Sequence, residues 1–151
     1  MGRKTCRRRV IVPMLPRGLR PALTRDQIQA LAIAHNMNLA DFKAGRATPE
    51  VMWQTAGGVL TWSYVAQALR MHQAAMVDQL KLMERVVKRF AETGRVEMLA
   101  NECEMAARGV PLMDELAEAV DKATATAAVM WSEDRVNAME RQTREATEVP
   151  A

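Results

Sequence analysis

Aromatic residues are scarce in this chain of 151 residues, and no stretch alternates between apolar and polar positions. Sheet proteins draw on β-branched and aromatic residues in alternating runs, so a β-rich fold is excluded. Hydrophobic residues still make up 49% of the chain, which is enough to form a core. That core must come mainly from Ala, Leu, Val and Met, because only six aromatic residues can join it: Phe42, Trp53, Trp62, Tyr64, Phe90 and Trp131.

Cysteine and histidine are almost absent too. Cys6 and Cys103 do not form a disulfide framework, and we expect two reduced thiols. His35 and His72 have no Glu or Cys at metal-ligand spacing, so no metal site is predicted. The chain also lacks a glycine-framed serine and a phosphate-binding loop. We therefore expect a protein that is not an enzyme and that uses no cofactor.

Long hydrophobic runs are missing as well. The bases Arg7–Arg9 precede an apolar stretch at Val10–Leu15, an order that superficially resembles a signal peptide. The stretch is too short, is interrupted by Pro13 and lacks a small-residue cleavage pattern. No other run approaches the length of a membrane span. We expect a cytoplasmic protein with no membrane partner.

Acidic residues are absent from the first 25 positions, which carry eight bases, although the whole chain has a net charge of only +3. Prolines at 13, 16 and 21 disfavour a helix there, so residues 1–23 are predicted to form a basic, extended N-terminal arm. Five clustered bases in this arm are candidates for contacting nucleic-acid phosphates without reading sequence: Arg3, Lys4, Arg7, Arg8 and Arg9. The alternatives are a solvated tail, contact with an acidic protein partner, or folding back onto the chain's own acidic surface.

Helical signals begin where the arm ends. Thr24 and Gln27 have capping-box spacing, and Thr48 before Pro49 predicts a second helix start. A third helix is predicted from about Gln73 to Thr93, ended by Gly94. We expect a short fourth helix over 96–107 closed by Gly109, and a long fifth helix that opens at Pro111 and loses its apolar stripe after Trp131. The predicted fold is an all-α, antiparallel bundle of four to five helices.

Residues 24–140 are assigned to this bundle domain and residues 141–151 to a disordered tail. The second helix carries two apolar stripes and is expected to be central, with Gly57 and Gly58 tolerated for close helix packing. A basic strip on the third helix at Lys81, Arg85 and Lys88 is expected to pair inside the bundle with the acidic region 97–121.

Residues 28–44 also match the offsets of a helix-turn-helix motif. Ala32, Asn36 and Phe42 occupy its small, turn and apolar positions. The recognition helix would end at Gly45 within two turns, and its Asp41 would oppose phosphate. An ordinary helix or helical hairpin is the favoured interpretation.

The opening sequence Arg3-Lys4-Thr5-Cys6-Arg7-Arg8, ahead of a proline-containing segment, resembles that of small helical proteins encoded by proteobacterial prophages and other mobile elements. The likeness continues at Ala44–Thr48 before a Trp-bearing helix, at Arg89-Phe90 with Thr93-Gly94, and at Val110-Pro111. The group carries no assigned activity, so the resemblance implies context alone: an accessory protein acting in a bacterial cytoplasm.

The leading functional hypothesis is therefore a non-enzymatic phage or mobile-element accessory protein that binds a macromolecule, with nucleic acid contacted through the basic arm. One alternative is a protein-binding module, such as a host-takeover or defence inhibitor or a virion assembly factor. The other is a structural protein that self-associates into a homo-oligomer through a Met- and Ala-lined helix face.

Overall fold

A computed structural model describes residues 22–148. Five helices account for most of this part of the chain: α1 (Arg25–Lys43), α2 (Pro49–Leu69), α3 (Gln73–Thr93), α4 (Ala100–Ala119) and α5 (Lys122–Thr147). No strand occurs among these residues, where the one β-type contact is an isolated bridge between Ala22 and Asp121. The prediction of an all-α helical bundle is confirmed.

Helix α2 is the central element, because it packs against each of the other four helices. Its side chains Met52, Trp62, Val65 and Ala66 are almost completely buried. They meet Met76, Leu82 and Val86 from α3 and Leu116 from α4 in one continuous core. The predicted role of α2 as the middle helix is therefore confirmed.

The predicted starts of the first two helices are also confirmed. The Thr24 hydroxyl accepts a hydrogen bond from the Gln27 N–H at 3.2 Å, and the Gln27 side chain accepts one from the Thr24 N–H at 2.9 Å. Thr48 Oγ1 accepts from the Val51 N–H at the start of α2. Gly94 ends α3 with a left-handed φ of 71°, which glycine adopts without strain.

Helix α1 runs without a break through the proposed turn of the helix-turn-helix pattern. Asn36 lies in regular helix, and its Nδ2 donates to the Ala32 carbonyl one turn earlier at 2.9 Å. The Asn36 side chain is therefore hydrogen-bonded within α1, and its backbone stays helical instead of adopting the left-handed conformation of a turn. The ordinary-helix interpretation is correct, and residues 28–44 do not form this DNA-binding motif.

The predicted boundary between the fourth and fifth helices is wrong. Helix α4 continues through both Gly109 and Pro111 and ends at Ala119, where Val120 turns extended with ψ 143°. Gly109 does not end the helix because it lies buried against α3, where its missing Cβ makes room for Gln79. Asp121 begins α5 instead, and its carboxylate accepts from the Thr124 N–H at 2.8 Å.

Helix α5 also extends further than its hydrophobic pattern indicated. It continues past Trp131 to Thr147, so residues 141–147 of the predicted disordered tail are helical. Arg144 supports this last part by donating to Glu140 one turn earlier at 3.3 Å. Residues 149–151 lie outside the described part of the chain.

Candidate functional site

The five cationic candidates, Arg3, Lys4, Arg7, Arg8 and Arg9, lie outside the described residues. What the structure places is the point where the arm joins the bundle. Ala22 bridges to Asp121 at the start of α5, and Leu23 packs against the core. The arm therefore joins the bundle beside the N-terminus of α5.

A wide apolar groove begins at this point. Within residues 22–148, α1 and α5 do not pack against each other along their lengths, and the space between them is floored by Gly58, Thr61 and Trp62 of α2. We call it the α1/α5 groove; it has a volume of about 550 Å³. Its walls are mostly apolar, and Met130 at the rim remains 64% exposed. A contiguous exposed apolar surface marks a site of interaction more often than scattered exposed apolar side chains do.

A second groove, which we call the acidic groove, lies next to the α1/α5 groove and is bounded by α2 and α5. The two grooves share Thr61 and Val129 as lining residues. The second has a volume of about 750 Å³ and is lined by Glu50, Glu133 and Glu140, with no basic side chain among its described lining residues. Arg144 pairs with Glu140, whereas Glu50 and Glu133 make no salt bridge within residues 22–148. This groove therefore carries net negative charge.

Helices α2 and α5 run antiparallel, which sets the order of the two grooves. Gly57 faces Val136, while Thr61, further along α2, is hydrogen-bonded to the earlier residue Ser132 at 2.7 Å. Starting from the entry point at Asp121, the apolar groove follows the first third of α5 and the acidic groove the next part. Glu140 lies 18 positions after Lys122, or about 27 Å along the helix at 1.5 Å per residue.

A histidine lies at the inner wall of the α1/α5 groove. The Trp62 indole N–H donates to His35 Nε2 at 3.1 Å, so the proton of neutral His35 is on Nδ1. Nδ1 is shielded from solvent and has no hydrogen-bond partner among the described residues. Burial lowers the pKa of His35, while the nearby Asp114 carboxylate acts in the opposite direction. His35 also lines a small cavity of about 40 Å³, so it contacts both that cavity and the groove.

The opposite side of α2, where α3 meets α4, is closed by an ion pair. Glu102 is only 3% exposed and receives two hydrogen bonds from Arg89, at 2.9 and 3.2 Å, and one from the Leu99 N–H. Burial alone would raise the pKa of Glu102, but these hydrogen bonds and the charge of Arg89 lower it. Arg85 adds a second contact at 3.6 Å. The predicted pairing of the basic strip with the acidic region is therefore confirmed for Arg85.

No group of three or more His, Cys, Asp or Glu within residues 22–148 could hold a metal ion. Cys103 is a buried free thiol whose pKa is raised by burial. His72 bonds Glu115 at 2.6 Å in the turn region between α2 and α3, remote from the grooves. No helix in the described range combines the length and apolarity needed to cross a membrane.

Comparisons with known proteins add no relative: no family model matches the chain, and no curated protein or solved structure is significantly similar to it. The site therefore has to be interpreted from its own geometry.

Sequence reasoning missed both grooves and the pairing of His35 with Trp62. The periodicity does place His35 on the apolar face of α1, and Gly58 does indicate a close approach to α2. Neither signal shows that α1 and α5 stand apart, because that spacing depends on the packing of three helices.

Proposed function

We propose that this protein is a non-enzymatic accessory protein that binds nucleic acid through its basic arm, with the helical bundle as the scaffold. Arg3, Lys4, Arg7, Arg8 and Arg9 neutralise backbone phosphates and read no base sequence. The resemblance to prophage and mobile-element proteins supports the context of an accessory factor in a bacterial cytoplasm.

The observation that supports this proposal is the separation of charge along the chain. Residues 1–21 contain seven bases and no acid, whereas all 18 acidic residues lie in the part that the structure describes. Several cations of the bundle are already engaged: Arg46, Arg85, Arg89 and Arg144 pair with carboxylates, and Arg135 lies over the Trp131 ring at 5.0 Å. The arm is therefore the densest source of cations available to a polyanion.

The test is the salt dependence of binding to a short labelled DNA duplex, repeated with single-stranded RNA. The arm variant replaces the five clustered bases by Gln. A bundle variant replaces five exposed bases of the helices and their connections by Gln and lowers the net charge equally: Lys81, Lys88, Arg95, Arg108 and Arg141.

Five phosphate contacts predict a slope of log K against log salt of about −4.5 for duplex DNA. We expect the arm variant to lose most of this slope and most of its affinity, while the bundle variant keeps the greater part of both. An affinity independent of salt, or an equal loss in both variants, would refute the proposal. Co-purification with a defined protein that survives nuclease treatment would favour the protein-binding alternative instead.

A further inference from the structure

We propose that the α1/α5 groove and the acidic groove together form a docking track for the chain's own arm. Val10–Leu15 would lie in the apolar part and Arg7–Arg9 against Glu50 and Glu133 in the acidic part. The arm would then be held either by the bundle or by nucleic acid. This inference deepens the proposed function. The competition between the bundle and nucleic acid for the arm rests on that function, whereas the docking itself can be observed without nucleic acid.

The order of chemistry along the arm supports this assignment. Counting back from Ala22, the chain passes through residues 16–21, which include Arg17 and Arg20, and then presents the apolar segment Val10–Leu15 followed by the cationic segment Arg3–Arg9. Moving away from Asp121, which bridges to Ala22, the surface first presents the apolar groove and then the acidic one. Beyond residues 16–21, the arm therefore changes from apolar to cationic in the same direction as the surface changes from apolar to acidic.

Length and charge agree with the same occupant. Arg9 lies thirteen positions before Ala22, and this stretch reaches about 43 Å when extended. Glu133 lies twelve residues after Asp121 on α5, or about 18 Å along the helix. The arginines can therefore reach the acidic groove with chain to spare. Glu50 and Glu133 make no salt bridge among the described residues, and Glu50 accepts only a hydrogen bond from Gln54 Nε2 at 3.5 Å, so the groove favours a cationic occupant. The arm is tethered at the mouth of the α1/α5 groove, which gives it a high effective concentration.

Cys6 allows a direct test in the full-length chain. A nitroxide spin label on Cys6, with Cys103→Ala to remove the buried second thiol, broadens the amide signals of residues near it. We expect selective broadening around Glu50–Gln54 at the start of α2 and Glu133–Asn137 on α5. Addition of duplex DNA should remove this broadening, because the arginines then contact phosphate.

Two pairs of variants separate docking from general charge effects. Glu50→Lys with Glu133→Lys should abolish most of the broadening, whereas Glu84→Lys with Glu92→Lys, exposed on α3, should leave it in place with the same change of net charge. The groove variant should also bind duplex about threefold more tightly than its control, because less of the arm is sequestered. Val129→Asp in the apolar groove should reduce the broadening, whereas Val77→Asp on α3 should not.

The outcomes distinguish the two proposals. Localised broadening without any binding of duplex upholds the docking and refutes the nucleic-acid function. Binding of duplex with broadening that is diffuse, or centred on α3 and α4, refutes the docking and leaves the function intact. Broadening seen on unlabelled molecules mixed with labelled ones would show that a second copy supplies the arm, and would overturn docking within one chain.

Discussion

The two sides of α2 are built differently. Towards α3 and α4, the helices are sealed by buried Glu102 with Arg89 and by Gln79, which fits into the notch at Gly109 and donates to the Met105 carbonyl at 2.8 Å. Towards α1 and α5, the neighbouring helices stand apart and leave Gly58 at the floor of a groove. We call the α3/α4 junction the closed side and the α1/α5 groove the open side; a further groove of about 510 Å³ lies between α2, α3 and Trp131.

We expect the closed side to determine the stability of the protein and the open side to determine what it binds. Polar groups on the closed side are satisfied within the bundle, so their loss should be felt in the free energy of unfolding. The open side leaves Met130 at the rim, and Glu50 and Glu133 make no salt bridge among the described residues. Changes there should be felt mainly in what the protein binds.

The largest expected effect is on the closed side, from Glu102→Gln. This change removes the charge partner of Arg89 and weakens the bonds to Arg89 and to the Leu99 N–H. Breaking a buried pair from one side costs about 3–5 kcal/mol, and the lower end applies here because Arg89 is 21% exposed. Urea unfolding measures the loss. Glu104→Gln, exposed on the same helix, should stay within about 0.5 kcal/mol of the parent.

Two glycine substitutions are expected to change the free energy of unfolding in opposite directions. A Cβ at Gly109 would lie 2.6 Å from the Gln79 amide carbon, so Gly109→Ala should displace a buried hydrogen-bonded side chain and destabilise by about 1–2 kcal/mol. A Cβ at Gly57 would meet only Val136, at an ordinary 3.5 Å. Gly57→Ala should therefore stabilise by about 0.5–1 kcal/mol through helix propensity. Shifts of the melting temperature in the same direction for both variants would contradict this difference.

The smallest effect concerns His35 and the pH. Because burial lowers its pKa in the folded state below 6.5, the unfolded chain binds a proton first as the pH falls. The contribution of His35 to stability is therefore full above pH 6.5 and is lost below it, with a slope of at most about 1.4 kcal/mol per pH unit. His35→Gln should flatten the curve of unfolding free energy in this window. Asp114→Asn should extend the window downward, because the Asp114 carboxylate raises the pKa of His35; an unchanged curve in both variants would contradict the assignment.

Local chemistry makes two helix starts and one helix end predictable. Thr24 with Gln27, Thr48 with Pro49, and Gly94 each act within one turn of their own backbone, so the sequence carries the whole signal. Gly109 and Pro111 imitate a helix end, but the packing of Gly109 against Gln79 outweighs that local preference. The sequence pattern marks Asp121, the actual start of α5, only as part of the acidic region 97–121.

The candidate site was only half predictable for the same reason. The cationic segment 3–9 is evident from composition alone. The grooves depend on where α1 and α5 lie relative to α2, and no residue pattern within one helix records that distance. Glu50 lies on α2 and Glu133 on α5, 83 positions apart in the sequence, so only the fold shows that they line one surface.

The most direct test of this division is a map of backbone amide shifts in the full-length protein during titration with duplex DNA. We expect the changes to concentrate in the arm and along the open side, at α1 residues such as Leu31 and α5 residues from Ala125 to Asn137, with α3 and α4 unaffected. Changes centred on the exposed Lys81 and Lys88 of α3 would contradict the claim that the basic arm and the open side carry the function.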